Sequence, residues 1–497
     1  MCGFVGFIGD REVSNSVKQA LQAIQHRGQD SAGIGIISDD GTFLLHRDLG
    51  YVDAALKPVN HTGGGVAIGH VRYPTIGGGI REDAQPFFCR QPGVLIAHNG
   101  NVINYNEVKE ILNKRSISLS SSCDVEPILY IFCEEMMKLK GNGHSYTDVV
   151  KALKETFKVV KGAYSIVCSM MLDGKPTLFC ARDPFGVRPA VWGRKNGSYA
   201  CASESVCLDV IDVELKGDIG AGEVMFFRPG EEPKSYVIDK QGSAPCVFES
   251  IYFARPDSIS GGSSIYSSRI DLGRVLGLEF MTKNIDIDVV TPVPDTSIPA
   301  ALAMAEVIGK PYREGLIKNR YVARTFIMPT QSSRENALRV KLNPIASQIK
   351  NKKVLLVDDS IVRGTTLRRI VALLKEKGKV KEIHVAIHCP PVLNPCFYGI
   401  DMSVQEDLVA HKKKTKLGLD DKQILTMKGQ RKLEAAIATH LGADSVTYLS
   451  TEGLNQIFGK QRCAACFDGA YPIKIDKKYI EEIRRDRLCI SSCSVNT

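Results

Sequence analysis

The fold is decided by the stretch Val354-Leu355-Leu356-Val357-Asp358-Asp359-Ser360-Ile361-Val362-Arg363-Gly364-Thr365-Thr366 of this 497-residue chain. Its four leading apolar residues predict a buried strand, and two adjacent acids follow at the C-terminal edge of that strand. A glycine-containing turn then opens a helix that we predict over 367–375. This order of strand, turn and helix is typical of an α/β domain, in which ligands bind beyond the carboxyl ends of the strands.

The turn after the two acids predicts a site for a phosphorylated sugar. Backbone N–H groups of the turn and the N-terminus of the helix suit a phosphate dianion. The carboxylates of Asp358 and Asp359 can accept hydrogen bonds from the vicinal hydroxyls of a ribose or help to hold Mg²⁺. The alternative is a structural role, in which the two acids cap a helix.

A second strand end and a basic segment are expected at the same edge of the sheet. A strand predicted at 289–292 leads into a loop framed by Pro292 and Pro294, and a helix is predicted over 300–308. The segment 317–325 then contains three cations within seven residues, which suits a lid over a diphosphate. The alternative for this segment is a basic surface loop.

The two halves of the chain have different sequence textures, so we expect two domains. The second half alternates strands with helical patterns and predicts a parallel sheet, with strands at 289–292, 353–358 and 382–387. The first half predicts layered α+β packing, with a helix at 14–25 and strands at 32–38, 66–71, 94–97, 164–171 and 176–181. We place the linker at the proline- and glycine-rich residues 229–233. The final residues, 473–497, are highly charged and predict a helix over 479–488 with a loose tail.

The composition is that of an ordinary globular protein with a mild positive charge. There are 64 basic and 55 acidic residues, a net charge of +9 that suits anionic small molecules at least as well as nucleic acid. The densest basic cluster, 411–416, is predicted to be a solvated loop or helix end. No apolar stretch approaches the ~18 residues of a membrane span, and no secretory signal is recognised. We expect a cytoplasmic protein, with a mature organellar form as the alternative, and its 15 cysteines as thiols, nucleophiles or metal ligands.

Cys2 is a candidate nucleophile because it directly follows the initiator methionine. Removal of Met1 would give Cys2 a free α-amino group beside its thiol, and that amine, with a pKa near ~8, can accept the thiol proton. Position alone favours the alternative, an early cysteine at a frayed terminus. The residues that follow decide between these interpretations.

Eight motifs together resemble the amidophosphoribosyltransferase family, which uses glutamine and phosphoribosyl pyrophosphate. The likeness extends to about residue 472 and rests on MCGFVG (1–6), HRGQDSAGI (26–34), GHVRYPT (69–75), AHNGN (97–101), ARDPFGVRP (181–189), VPDTS (293–297), KNRYVARTFIMP (318–329) and the stretch at 354–366. The resemblance implies an αββα N-terminal-nucleophile glutaminase domain at 2–240. It implies an α/β type I phosphoribosyltransferase domain with a parallel sheet at 241–472 and a charged tail at 473–497.

For the first half, the resemblance implies a site that releases ammonia from glutamine. Cys2 attacks the side-chain amide and forms a γ-glutamyl thioester, while Asn99 and the Gly100 N–H form the oxyanion hole. Arg72 pairs with the substrate α-carboxylate through its planar fork, and Asp124 takes the α-ammonium. Two more residues, Arg27 and Thr75, support this pocket.

For the second half, the resemblance implies that ammonia displaces pyrophosphate from C1 of the ribose and gives 5-phosphoribosylamine. Mg²⁺ is expected at Ser297, Asp358 and Asp359. The residues expected to bind phosphoribosyl pyrophosphate are Asp358, Asp359, Ser360, Arg363, Gly364, Thr365 and Thr366, with Lys318, Tyr321 and Arg324 in the closing lid. Because protonated ammonia is not nucleophilic, we also expect a closed apolar passage between the two sites when the lid is down. Ala323 departs from the family pattern, which commonly has glycine there.

A set of cysteines predicts a metal cofactor. Thiolates alone suit zinc or an iron–sulfur cluster, and the resemblance selects a [4Fe-4S] cluster. Its expected ligands are Cys246, Cys396, Cys463 and Cys466, with Cys389 as a possible substitute. The segment 120–123 is unusual for the family, which makes the assignment of Asp124 less direct than that of Arg72.

The expected activity is the first committed step of de novo purine synthesis, with feedback inhibition by purine nucleotides. We expect a homotetramer or homodimer that binds neither nucleic acid nor membrane. The sequence argues against two other functions, the first because Cys2, Arg72 and the Asn99-Gly100 pair are intact, and the second because the loop 358–366 is present. One is a non-catalytic regulator that binds phosphoribosyl pyrophosphate, and the other is a different N-terminal-nucleophile amidotransferase, such as a glucosamine-phosphate or asparagine synthetase.

Overall fold

In the computed structural model of this protein, the described residues are 2–9, 12–61, 63–73, 80–139, 144–319, 342–402, 404–424 and 426–493. The strands of the first half are β1 (Gly3–Gly9), β2 (Ser31–Ile37), β3 (Phe43–Leu49), β4 (Gly65–Arg72), β5 (Phe87–Cys89), β6 (Val94–Val102), β7 (Gly162–Leu172), β8 (Lys175–Arg182), β9 (Val191–Lys195), β10 (Ser198–Ala202), β11 (Glu214–Asp218), β12 (Glu223–Phe227) and β13 (Lys234–Val237). Its helices are α1 (Val13–Ala23), α2 (Val52–Ala55), α3 (Tyr105–Lys114), α4 (Val125–Lys138), α5 (Tyr146–Val159) and α6 (Val206–Asp209).

The strands of the second half are β14 (Ile259–Ser260), β15 (Ser263–Ser264), β16 (Val289–Pro292), β17 (Leu316–Lys318), β18 (Leu342–Pro344), β19 (Lys353–Asp358), β20 (Glu382–Ile387) and β21 (Ser445–Tyr448). Its helices are α7 (Ile265–Met281), α8 (Ile298–Ile308), α9 (Ala346–Ile349), α10 (Thr365–Glu376), α11 (Val409–Lys416), α12 (Asp421–Ile424), α13 (Met427–Leu441), α14 (Thr451–Phe458), α15 (Ala465–Asp468) and α16 (Lys477–Cys493). Among the described residues, no helix is both long enough and apolar enough to cross a membrane.

The first half is a sandwich of two antiparallel sheets with helices on both outer faces. One sheet has the order β11-β9-β10-β1-β4-β2-β3 and the other β13-β12-β8-β7-β6-β5. Strand β1 shows why the layers form, because its side chains alternate between faces. Phe4 and Ile8 pack between the two sheets, whereas Val5 and Phe7 pack toward the helix side, in one cluster with residues of α1. Helices α4 and α5 cover the second sheet, and the predicted αββα layering is confirmed.

The second half contains a parallel sheet with the order β16-β19-β20-β21. The buried centres of its strands are rich in Val, Leu and Ile, as expected for a sheet covered on both faces. Residues of α7, α8, α10 and α13 join these strands in one large core. The parallel α/β fold predicted from the stretch at 354–366 is therefore confirmed, and its two acids lie at the carboxyl end of β19.

The linker predicted at 229–233 is wrong. These residues form the turn between β12 and β13, which pair as an antiparallel hairpin within the second sheet of the first half. Gly230 has φ +74° there, a left-handed conformation that glycine adopts readily. Proline and glycine mark a tight hairpin as well as a linker, so composition alone did not separate the two.

Several segments differ from expectation in length or contact. The helix predicted at 14–25 ends at Ala23 and is followed by a 3₁₀ turn, Gln25–Arg27. The basic cluster lies within α11, where Lys414 is buried. The predicted C-terminal helix is present as α16, and it contacts the first half of the chain. The side-chain amide of Asn101 donates a hydrogen bond of 2.7 Å to the hydroxyl of Tyr479 in this helix.

Candidate active sites

Cys2 lies at the edge of the first sheet, directly before β1. Only 8% of its surface is exposed, and its Sγ donates a weak 3.7 Å hydrogen bond to the carbonyl of Tyr73. In the antiparallel pairing of β1 with β4, Gly3 faces Val71. The strand register therefore places Cys2 beside Arg72, the last residue of β4.

Arg72 is a buried cation held by side chains that the sequence did not indicate. Its Nη1 donates to the carbonyl of Asp83 and to Sγ of Cys123, both at 2.7 Å. Its Nη2 lies 3.5 Å from the Asp83 carboxylate. Burial alone would lower the pKa of Arg72, but the charges of Cys123, Cys2 and Asp83 outweigh it and raise that pKa. Arg72 therefore stays charged inside a site that also contains Cys2.

Asp124 is an ionised carboxylate in the same site. It immediately precedes α4 and is buried, and its Oδ2 accepts a 2.9 Å hydrogen bond from the Val102 N–H. His98 Nε2 lies 3.2 Å from the same oxygen. Burial opposes ionisation of Asp124, yet the interactions with His98 and Val102 lower its pKa. The pKa values of Arg72 and Asp124 also influence each other, so the two opposite charges share one environment.

Strand β6 supplies a free hydrogen-bond donor next to this pair of charges. The side chain of Asn99 is buried, and its Nδ2 has no hydrogen-bond partner among the described residues. An unpaired buried donor is costly unless a bound molecule uses it. At Gly100, a β-carbon would lie 2.2 Å from the Ala163 carbonyl, so only glycine fits against β7.

The unusual segment 120–123 is an ordered turn. Ser120 and Ser121 donate hydrogen bonds from backbone and side chain to the buried carboxylate of Glu126. Ser122 donates in the same way to Asp83. These bonds fix the position of Cys123 and of the following Asp124. Thr75 lies outside the described residues.

The acidic pair of the second half lies at the carboxyl end of β19. Asp358 Oδ1 accepts a 2.9 Å hydrogen bond from the Asp359 N–H and a longer one, 3.4 Å, from Ser297 Oγ. Ser360 Oγ donates to Asp359 at 2.7 Å. Burial raises the pKa of Asp358 well above its usual range, and the neighbouring charge of Asp359 adds to this effect. Burial likewise raises the pKa of Asp359 to about 6.

The turn after these acids has the geometry predicted for a phosphate loop. Gly364 has φ +76° and precedes the first residue of α10. Thr365 and Thr366 are exposed at the start of that helix, where unpaired backbone N–H groups point outward. Arg363 is also exposed, with its Nη2 3.7 Å from the carboxylate of Asp407. Arg363, Thr365 and Thr366 are thus open to solvent on either side of the buried Gly364.

The predicted lid is described only at its beginning. Lys318 ends β17, and its Nζ lies 2.8 Å from the carboxylate of Asp295. This contact places Lys318 next to the loop that leads to Ser297. Tyr321, Ala323 and Arg324 lie outside the described residues.

The described residues of one short segment of the second half, 397–402 and 404–409, contact both sites. At one end, the carbonyl of Phe397 accepts a 2.8 Å hydrogen bond from Asn101 in β6. In its middle, Asp401 accepts a 3.2 Å hydrogen bond from the Tyr73 hydroxyl, next to Arg72. At the other end, the Val409 N–H donates to the carbonyl of Val362 in the phosphate loop at 2.9 Å.

Two protein-family models match the chain, and they divide between its halves. A model described as a glutamine amidotransferase domain matches residues 72–210. A model described as a phosphoribosyl transferase domain matches residues 264–395. The first includes Arg72, Asn99 and Asp124, and the second includes Asp358 and Asp359.

Curated relatives match along most of the chain. The amidophosphoribosyltransferase of Methanocaldococcus jannaschii is 38% identical over 498 residues, which cover 96% of this chain and 98% of that protein. The amidophosphoribosyltransferase of Escherichia coli strain K12 is 39% identical over 423 residues, 83% of each chain. This chain belongs to the amidophosphoribosyltransferase family.

The solved structures agree with this assignment. A glutamine phosphoribosylpyrophosphate amidotransferase from B. subtilis, complexed with ADP and GMP, has a TM-score of 0.81 and 35% identity over 96% of this chain and 98% of that one. This amidophosphoribosyltransferase is accordingly a glutamine-dependent enzyme of purine biosynthesis. The alternatives of a non-catalytic regulator and of another N-terminal-nucleophile amidotransferase are wrong.

In this amidophosphoribosyltransferase, the four cysteines predicted as cluster ligands converge. Cys246 and Cys463 face each other in a short β-bridge. The charges of Cys246, Cys396 and Cys463 add to burial in raising the pKa of Cys466, so the four thiols share one environment. Among the described residues, no group of three or more His, Cys, Asp or Glu side chains is arranged to hold a metal ion. A four-iron cluster binds each thiolate at a separate iron, so its ligands lie farther apart than those of a single ion.

The acidic pair fits Mg²⁺ on the chemistry of its donors. Mg²⁺ prefers hard oxygen ligands and is typically held by one or two carboxylates together with substrate phosphates. The adjacent carboxylates of the half-buried Asp358 and the buried Asp359 have raised pKa values, and a divalent cation would offset the unfavourable charge that they carry when ionised. Ser297 Oγ adds a neutral oxygen on the same side.

Several residues at these sites were missed by the sequence analysis, and each is a partner of a predicted residue. Asp83 and Cys123 hold Arg72, and His98 holds Asp124. Near the second site, burial raises the pKa of Asp359, and the charge of the buried Arg269 in α7 opposes part of that rise. None of these lies at a motif spacing from its partner. Only the position of His98 inside the quoted AHNGN motif offered a signal.

Proposed function

We propose that Cys2, freed by removal of Met1, is the nucleophile that takes ammonia from glutamine. Its α-amino group accepts the thiol proton, and its sulfur attacks the side-chain amide carbon to form a γ-glutamyl thioester. The same proton is then available to the departing ammonia. Water hydrolyses the thioester to glutamate and restores the thiol. The burial of Cys2 beside the charged Arg72 is the observation that carries this proposal.

The substrate is held in this account by two opposite charges. Arg72 pairs with the α-carboxylate of glutamine and shares its guanidinium with Asp83. The ionised Asp124 accepts hydrogen bonds from the α-ammonium. The Nδ2 of Asn99, which has no partner in the part of the chain that the structure describes, and the N–H of Gly100 donate to the oxyanion that forms at the amide carbon. Arg27 and Thr75 support the pocket.

Phosphoribosyl pyrophosphate binds, in this proposal, at the carboxyl end of β19. Arg363, Gly364, Thr365 and Thr366 bind the 5′-phosphate, and Asp358, Asp359 and Ser360 face the ribose. Ser297, Asp358 and Asp359 would hold Mg²⁺, which when bound neutralises the charge of the pyrophosphate leaving group. Lys318, Tyr321 and Arg324 close over the diphosphate. Little protein acid–base chemistry is needed at C1, so positioning and exclusion of water dominate catalysis.

We infer that ammonia travels along the segment 397–409, which contacts both sites. Protonation by bulk water would remove the nucleophilic lone pair, so a closed path preserves its reactivity. Phe397 and Tyr398 give this segment a buried apolar beginning next to β6. Its far end meets the phosphate loop at Val362.

We also propose that Cys246, Cys396, Cys463 and Cys466 bind a [4Fe-4S] cluster. The four thiols come from segments that are distant in sequence. The cluster would therefore have a structural role, because it would cross-link these segments. Their burial without a metal raises the pKa of Cys246 to about 11, whereas iron would stabilise the thiolates. Anaerobic purification with determination of iron and visible absorbance tests this assignment.

The proposal also covers the domain bounds, inhibition, oligomeric state and cellular location. The glutaminase domain extends over 2–240, the phosphoribosyltransferase domain over 241–472, and the charged tail over 473–497. The B. subtilis relative was solved with ADP and GMP, and we propose that purine nucleotides inhibit this enzyme as well. We further propose a homotetramer, with a homodimer as the alternative, in the cytoplasm.

The assay for this function follows pyrophosphate release from phosphoribosyl pyrophosphate, with glutamine or ammonium as the nitrogen donor. The wild-type enzyme is expected to use both donors and to require Mg²⁺. Asp359→Asn is expected to abolish synthesis with either donor while glutamine hydrolysis continues. Loss of glutamine hydrolysis alone in this variant would contradict the assignment of Asp359 to the phosphoribosyl site.

A further inference from the structure

A buried network of four charges joins the two halves of the protein behind Cys2. Its members are Arg27, Arg188 and Glu204 from the first half and Glu249 from the second half. Each of these side chains is at most 8% exposed. Two cations and two carboxylates balance the charge, as a network this deep requires.

Glu249 reaches across the boundary and binds both arginines. Arg27 Nη2 donates to its Oε2 at 2.6 Å, and Arg188 Nη2 donates to its Oε1. Arg188 Nη1 in turn donates to the carbonyl of Tyr398 at 3.0 Å. One carboxylate of the second half, that of Glu249, thus binds two arginines of the first half.

Glu204 makes the reciprocal contact from the first half. Arg27 Nε donates to Glu204 Oε1. The other oxygen of Glu204 accepts hydrogen bonds from the Arg255 N–H at 2.9 Å and from Ser258 Oγ at 2.8 Å, both in the second half. Arg27 therefore sits between two carboxylates that each bridge the halves. Burial opposes its charge, but the two carboxylates outweigh that penalty and raise the pKa of Arg27.

Arg27 is also the member of the network that touches the nucleophile residue. Its Nη1 donates to the backbone carbonyl of Cys2 at 3.4 Å. The stem of the side chain packs on the next residue, since a β-carbon at Gly3 would lie 2.8 Å from Arg27 Cδ. A shift of the Arg27 side chain would therefore displace the backbone at Cys2 and Gly3, and with it the Cys2 thiol.

Arg269 connects the turn that carries Glu249 to the phosphoribosyl site. This turn, Glu249–Phe253, is a π-helical turn. Arg269 of α7 donates to the carbonyl of Ser250 at 3.0 Å and to that of Ala254 at 2.7 Å. The charge of Arg269 also interacts with Asp359. An electrostatic interaction thus links Asp359 to Arg269, and hydrogen bonds link Arg269 to the backbone of the turn that carries Glu249. From Glu249, hydrogen bonds continue through Arg27 to the carbonyl of Cys2.

We propose that Glu249 is a positioning residue for the Cys2 nucleophile, through which the phosphoribosyl half sets the geometry of ammonia release. The proposal rests on the assignment of Cys2 as nucleophile. Glu249 acts through Arg27 and does not touch substrate. Its removal leaves Arg27 and Arg188 with one carboxylate between them, so Arg27 moves toward Glu204 and away from the Cys2 carbonyl.

The test compares Glu249→Gln with Glu434→Gln. Glu434 is a matched control, because it is a buried glutamate of the second half that binds Lys283 at 2.6 Å. Among the described residues, its hydrogen-bond partners are Lys283, Gln430 and Tyr448, none of which belongs to this network. For Glu249→Gln we expect kcat with glutamine to fall about 10- to 100-fold, the effect typical of losing one charged hydrogen bond. The KM for glutamine and the ammonia-dependent rate are expected to stay within about twofold of wild type, as are all rates of Glu434→Gln.

A second variant, Glu249→Asp, keeps the charge balance and so protects folding. It draws the carboxylate back from Arg27 by one methylene, and we expect an intermediate fall in the same kcat. Unchanged kcat with glutamine in both Glu249 variants would overturn the proposal. Equal loss with ammonia would also overturn it, because Glu249 would then maintain the whole interface. Cys2→Ala is measured in parallel, since glutamine-dependent synthesis in that variant would refute the nucleophile and not Glu249 specifically.

Discussion

Gly399 lies directly against the backbone of Gly100, so the second half of the protein contacts the strand that carries Asn99. A β-carbon at Gly399 would lie 3.1 Å from the carbonyl carbon and oxygen of Gly100. Gly399 also has φ +100°, a conformation that L side chains rarely adopt. Two glycines thus permit the contact between the glutaminase half and the segment that leads to the phosphate loop.

Gly399→Ala is expected to impair the glutamine site from the other half of the protein. The strained backbone alone should cost about 1–3 kcal/mol in free energy of unfolding. The new methyl group also pushes on Gly100, so glutamine-dependent synthesis should fall more than ammonia-dependent synthesis. Denaturant unfolding and the two-donor assay measure these effects. Gly418→Ala is the matched control, because Gly418 has φ +65° but a β-carbon there would meet no atom within 4 Å. Equal activity losses in the two variants would contradict the role of the contact.

Asp359 makes the stability of the Mg²⁺-free enzyme depend on pH. The folded protein raises the pKa of Asp359 to about 6, so between its ordinary value and that pKa the unfolded chain loses the proton first. Stability due to this group therefore falls as the pH rises from about 4 to about 6. Compared with Asp359→Asn, whose amide does not titrate, the wild type should lose stability across this window.

The measurement is chemical denaturation of both proteins from pH 4 to pH 8, with and without Mg²⁺. Added Mg²⁺ should reduce the difference between the two proteins, because the cation offsets the charge of the buried carboxylates. A constant stability difference across the window would contradict a raised pKa at Asp359.

Much of the second half was predictable because its signals are local. The predicted strands 289–292, 353–358 and 382–387 coincide with β16, β19 and β20. Each is a short apolar run that ends at a proline or at polar residues. Because such a strand is buried on both faces, its run of apolar residues could be recognised without an alternating pattern. In the first half, β6 was predicted to end at 97 but extends to Val102. The polar residues of the AHNGN motif conceal the end of that strand, because site residues replace its alternating pattern.

The candidate sites were predicted only in part, since motifs reveal ligand-binding residues but not their partners. Arg72 and Asp124 came from the resemblance to the family. Their partners Asp83 and His98 are set by tertiary packing that no spacing encodes. Glu249 is the extreme case, because it lies 222 residues from Arg27 in sequence and binds it across the boundary between the halves.

Asp124→Asn should weaken glutamine binding without affecting the phosphoribosyl site. The amide cannot supply the negative charge that an α-ammonium group requires, so we expect the KM for glutamine to rise about 10- to 100-fold. Steady-state kinetics with glutamine and with ammonium measure the two activities separately. An unchanged KM for glutamine would remove Asp124 from the substrate pocket.

Cys466→Ala should release the proposed cluster. We expect loss of bound iron, loss of visible absorbance and a lower thermal midpoint, since three remaining thiolates would hold the cluster incompletely. Cys207→Ala is the control, because Cys207 is also buried but packs in the first half. Iron content per chain, measured after anaerobic purification, should fall only in Cys466→Ala. Iron-free wild-type protein would contradict the cluster assignment.

The central claim is that Cys2 releases ammonia at one site for use at a second, separate site. The most direct measurement is pyrophosphate release by purified Cys2→Ala with glutamine and, at raised pH, with ammonium. We predict no synthesis with glutamine and near wild-type synthesis with ammonium. Glutamine-dependent synthesis by Cys2→Ala, or loss of synthesis with both donors in a folded protein, would contradict the account.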